Sequence, residues 1–141
     1  MKRAILTSIV ALFSIVMFAQ LNSGGKVFVT FKETEGEVNS NDTAAVKDLR
    51  GYLEDKTTLL IVDSADDADF IFILSVYQIN MGNRKGKVDI MDNKSKNMIF
   101  ESKWEKGTGS INYRWNHSLH AMSKVFKNQI FKAYPAIEKQ E

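Results

Sequence analysis

The sequence predicts an α/β (α+β) fold: a two-layer sandwich in the order β-α-β-β-β-β-α, with a mixed sheet carrying two helices mainly on one face. Three observations predict it. Ala45 to Leu53 and Leu119 to Ile130 repeat apolar residues at three and four, the period of a helix with one buried stripe. Phe70 to Ile79 is apolar on both of its alternating faces, as a central strand is. Lys87 to Asp92 and Met98 to Trp104 alternate apolar with polar around the turn "NKSKN", which reads as a hairpin.

Taken in order, the chain opens with Lys2 and Arg3 and then runs almost wholly apolar from Ala4 to Phe18, ending on the small residue Ala19. Residues 1–19 are therefore expected to be a cleaved signal peptide, with Gln20 the new N-terminus. The apolar run is roughly 15 residues, short of the about 20 that a spanning helix needs. No stable membrane insertion is expected after cleavage, so the localisation reads as periplasmic or secreted. No cysteine follows, which argues against a lipoprotein. Residues 20–25 read as a flexible leader ending in a Gly-Gly pair, residues 26–135 as one domain, and residues 136–141 as a C-terminal tail.

Within the domain, "KVFVTF" (Lys26 to Phe31) is β-rich. "KETEGEVNSN" follows as a polar loop whose Ser40 or Asn41 suits a helix start. Ala45, Val46, Leu49, Tyr52 and Leu53 then make the first stripe; Gly51 weakens that helix and suggests close packing there. "TTLLIVDS" is a short second strand, and Phe70 to Ile79 the third. "NMGNRKG" is expected to be a turn with its cations in water. In the hairpin that follows, Asp89, Glu101 and Lys103 fall on the solvent face. "KGTGSINYRWN" is looser, and Asn116 can cap the last helix, which Pro135 stops.

Charge and cysteine usage narrow the classes of function. Without Lys2 and Arg3 the chain carries 17 basic and 17 acidic residues, a formal charge of zero, so nucleic acid is not an expected partner. An exported chain without disulfides must draw its stability from its core.

Four aspartates, Asp63, Asp66, Asp67 and Asp69, crowd into seven positions. A calcium loop needs six to eight converging oxygens and a tight glycine turn. "DSADDAD" has no glycine and joins two strands, so it reads as a solvated turn. His117 and His120 are three apart, but no cysteine or nearby acid completes a zinc site. Ser118 beside His117 points away from it on a helix. No catalytic motif is present, so no enzyme, metal or cofactor is expected. Trp104, Tyr113, Arg114 and Trp115 surround the Gly107–Gly109 loop, and aromatics with an arginine are what binding hot spots favour. The competing reading makes Trp104 the end of a strand in the core, with Tyr113 and Trp115 covering its edge.

"DADFIFILSVYQI" followed by "GKVDIMDNKSKNMIFESKW" resembles a group of small bacterial envelope domains. The group includes the N-terminal domain of TolB, the periplasmic domain of the penicillin-binding protein activator LpoB, and the curli secretion protein CsgG. Ala68-Asp69-Phe70 enters a strand as in that group, and Val88 to Asp92 turns through a polar tip to Phe100-Glu101-Ser102. Leu74-Ser75-Val76 stands where the group carries a glycine. The resemblance spans about Lys26 to Ala133. It implies a sandwich used for protein contacts: an exported, non-catalytic module docking a protein partner in the envelope. The alternative is a small-ligand or carbohydrate-binding protein stacking on Trp104, Tyr113 and Trp115. A pocket lined by those rings would favour the ligand; a flat exposed patch or an open sheet edge would favour the protein.

Overall fold

The computed structural model describes residues 20–32, 42–80, 83–108, 113 and 116–141. The expected signal (1–19), the helix-start residues Ser40 and Asn41, the turn at 81–82, and Arg114 and Trp115 lie outside the described residues.

The expected α+β sandwich is present: a mixed six-stranded sheet with two helices. Strand β1 (Lys26–Phe31) leads to helix α1 (Asp42–Lys56) and the two-residue β2 (Leu60–Ile61). Then come β3 (Phe70–Asn80), β4 (Asn83–Asp92), β5 (Met98–Glu101) and β6 (Glu105–Gly107). Helix α2 (His117–Val125) continues through a π-helical turn, Phe126–Ile130, to Phe131–Ala133. The strand order is β2-β1-β3-β4-β5, with β6 also pairing β4. β1 runs parallel to β2 and β3; the pairs of β4 are antiparallel. β3 is the middle strand, as its two apolar faces predict.

Both helices cover one face. The side chains of Val27, Val29, Phe72, Leu74, Val88 and Ile90 point into it and meet Leu49 and Leu53 of α1 and Met122, Phe126 and Ile130 of α2. The Phe126 ring lies 6.2 Å from Phe72 and 5.3 Å from Tyr52, joining the sheet to both helices. The π turn has a packing reason. In a regular helix Phe131 would point about 140° away from Phe126; the wider turn brings Phe126, Ile130 and Phe131 all into the core. Asn116 caps α2 as expected, its Oδ1 accepting the Leu119 N–H (2.9 Å), while its Nδ2 donates to Asp48 on α1 (2.7 Å).

Several boundaries differ from the sequence reading, each for a tertiary reason. Residues 20–25 are tied down: Leu21 is 2% exposed in the core, and Gly24 N–H donates to the Thr58 carbonyl. Residues 136–141 begin inside the domain, since Ile137 is fully buried and Thr58 N–H donates to its carbonyl. Gly51 has nothing within 4 Å of where a Cβ would stand, so it does not mark close packing. Asn83 to Gly86 belong to β4 rather than to a turn; Arg84 donates to Ser118 on α2. Met98 to Trp104 is not one strand, because pairing to β4 stops at Glu101 and resumes at Glu105.

Candidate functional site

The interruption between β5 and β6 decides where Trp104 goes. Asp89 pairs with Glu101 and Gly86 with Glu105, so β4 takes three steps while the facing chain takes four. The extra residue makes a bulge opposite Lys87, a device that re-aims side chains. Ser102 compensates for the broken ladder: its Oγ accepts the Val88 N–H at 2.9 Å. Gln129 of α2 holds the outer side, accepting from Lys103 N–H (2.7 Å) and donating to the Lys103 carbonyl (3.2 Å). That clip satisfies an edge that would otherwise invite another strand. Uninterrupted alternation would aim Trp104 at the helices. With the bulge it lies on the opposite face, 39% exposed, its ring 5.0 Å from Tyr77.

That opposite face has no helix on it among the described residues. Its first row runs Phe28, Ile71, Met91, Met98 across four strands and is wholly apolar. The second is Thr30, Ile73, Asp89, Glu101. Further along lie Ser75 beside Lys87, then Tyr77, Lys85 and Lys106. Lys85 sits 5.9 Å above the Tyr77 ring and Lys87 5.8 Å above that of Trp104, ordinary cation–π distances. Lys87 also pairs with Asp89 at 3.2 Å; the second Asp89 oxygen is buried and has no hydrogen-bond partner among the described residues. Met98 and Leu60 are 43% and 55% exposed at the two edges of this face.

Tyr113 lies elsewhere. Its ring stacks on His120 of α2 at 5.1 Å, and Lys127 donates to its hydroxyl at 3.0 Å. Burial is the largest single influence on the Tyr113 pKa and raises it, but hydrogen bonds with Lys127 and Ser123 and the charges of Lys127 and Lys56 together outweigh it, and the net shift is down. Burial also lowers the His120 pKa, with Lys124, His117 and Lys127 adding to it. Neutral His120 accepts the Thr108 N–H through Nδ1 (3.3 Å). Trp104 and Tyr113 thus have different neighbours: Trp104 belongs to the sheet face and Tyr113 to α2. Tyr77 and Lys106 were not singled out in the sequence as site residues, and Lys85 only as a solvated cation of a turn, whereas it lies in β4. Their one signal was alternation in a strand, and the strand bounds there were misplaced.

The acidic stretch is occupied with folding. Ser64 caps a single 3-10 turn, Ala65–Asp67, and Asp63 pairs with Arg50 of α1. The Asp69 carboxylate accepts the Lys26 N–H at 3.0 Å. Asn93 donates to the carbonyls of Ala65 and Ala68, each at 2.8 Å. An open recess of about 490 Å³ lies there, between Asp66, Asp69, Asp92 and Lys94, remote from the Trp104 and Tyr113 rings. Among the described residues no three His, Cys, Asp or Glu side chains converge as metal ligands would.

No protein-family model matches the chain, and no curated protein matches it. Among solved structures it is similar to a PelC dodecamer from Paraburkholderia phytofirmans, at 11% identity and a TM-score of 0.49. The match covers 76% of this chain and 91% of that one. Among the described residues no helix is long and apolar enough to cross a membrane.

Proposed function

We propose that this chain is an exported, non-catalytic interaction module of the bacterial cell envelope that docks a protein partner on the uncovered face of its sheet. The observation that carries the reading is the exposed apolar and aromatic surface on that face: Trp104, 39% exposed, against half-buried Tyr77, and Met98, 43% exposed, in a row with half-buried Phe28 and Met91 and buried Ile71, with no helix over them among the described residues. Contiguous apolar surface of this kind marks interaction sites, and tryptophan and tyrosine dominate binding hot spots. Small ligands bind in concave sites, and the recess beside Asp66 and Lys94 is not lined by these residues, which favours a protein. The charged, then apolar, start of the chain and the resemblance to envelope domains support the compartment. Processing after Ala19 leaves Leu21 in place for the core.

The test is site-directed photocrosslinking in the envelope of the source cell. A crosslinking residue at Met98 should yield a discrete protein adduct that Trp104→Ala removes without lowering Tm. The same probe at Lys132, exposed on α2, should not. Equal adducts from both positions, or none from Met98, would end the reading.

A further inference from the structure

Two lysines face each other across the sheet without a counter-charge among the described residues. Lys85 on β4 is directly opposite Lys106 on β6, and neither is in an ion pair among the described residues. Like charges directly opposite one another in a sheet repel and destabilise it. Lys87, one step along the same face, pairs with Asp89 and with no other acid among the described residues. These cations stand in a chain whose part after residue 19 has a formal charge of zero, so their concentration is local. They also border the Tyr77 and Trp104 rings, so the charged and aromatic parts form one surface.

We infer that this end of the sheet face is a receptor for an acidic protein segment, whose carboxylates lie between Lys85 and Lys106 and whose apolar or aromatic side chains rest on Tyr77 and Trp104. The inference rests on the docking reading above and adds the chemistry of the partner. A carboxylate between the two ammoniums turns a repulsion into two charge-assisted contacts, so binding relieves a strain built into the free protein. Carboxylates on the approaching chain would also be steered toward the patch at low salt. Nothing comparable faces a cationic partner: Asp89 is buried and already paired, which leaves Glu101 as the exposed acid in these rows.

The probe is a fluorescent random Glu/Tyr copolymer, measured by anisotropy against the purified chain, with a Lys/Tyr copolymer and polygalacturonate as the other arms. The Glu/Tyr copolymer should bind alone among the three, with affinity falling as salt is raised. Lys106→Glu should weaken it by roughly tenfold while raising Tm, because the new glutamate pairs with Lys85. Trp104→Ala should weaken it without changing the salt dependence. Equal binding of polygalacturonate would overturn the protein assignment in favour of an anionic glycan. No binding of the Glu/Tyr copolymer, or binding indifferent to Lys106→Glu, would overturn the inference. If the Met98 adduct persists in that event, the docking reading stands and only the charge assignment falls; if it too is absent, both fall.

Discussion

Gly107 and His117 approach so closely that a Cβ on Gly107 would overlap the His117 carbonyl oxygen. It would also lie 2.7 Å from the Ala121 amide nitrogen. Gly86, on the neighbouring strand, meets the Ala121 side chain at 3.2 Å on the same measure. Helix α2 therefore rests on β4 and β6 through small residues. That close seat places Gln129 within reach of Lys103, and so supports the bulge that turns Trp104 outward.

Gly107→Ala should destabilise the protein by about 3 kcal/mol or more, because backbone rather than a flexible side chain must yield. Gly51→Ala should do the reverse, adding about 0.5–1 kcal/mol, since its site is open and alanine favours the helix. Urea unfolding of the two variants beside the parent protein checks both signs.

Leu21 and Ile137 should behave as core residues despite lying near the ends of the described chain. Leu21→Ala should cost about 2–5 kcal/mol, and Ile137→Ala a similar amount. Met98→Ala, on the exposed face, should leave the unfolding midpoint nearly unchanged. A chain ending at residue 135 should melt well below one that continues to residue 141.

Tyr52 is buried, and its hydroxyl has no hydrogen-bond partner among the described residues. Burial, with smaller contributions from Tyr113, Glu138 and Asp55, pushes its pKa strongly up. Tyr52→Phe keeps the contact with Phe126 and removes an unpaired polar group. Thermal melts should show stability unchanged or raised by up to about 1 kcal/mol. Tyr52→Ala should lose about 3–5 kcal/mol, as other buried aromatics do.

Asp92 organises the turn between β4 and β5, its Oδ2 accepting from the Ser95 hydroxyl (2.5 Å) and amide (3.0 Å). Those two bonds hold its pKa below the ordinary aspartate value. A carboxylate depressed on folding contributes stability above its unfolded pKa and loses it as pH falls through the folded one. Asp92→Asn should therefore lower Tm at neutral pH. The gap from the parent should close as strong acid protonates Asp92, a trend followed by melts across the acid range.

The sequence by itself determined the elements that rest on local periodicity. The helical stripes of α1 and α2 and the doubly apolar β3 are properties of a few consecutive residues, so the two-layer sandwich was legible. The Asn116 cap and the break at Pro135 were legible for the same reason. The site was legible only in part. For Trp104 the sequence left an exposed role and a core role open, and alternation alone would aim it at the helices; the structure puts it on the opposite face. A bulge exists only when two strands are paired, and alternation within one strand carries no record of it. Gly51 and Gly107 show the same limit, since nothing near either residue says which one a helix will press against. Leu21 and Ile137 belong to no periodic run, so their burial depended on the space left between the ends of α1 and β1. The Lys85–Lys106 opposition likewise arises from register between segments about twenty residues apart. Tertiary structure decided these points because each depends on what a residue faces rather than on what it follows.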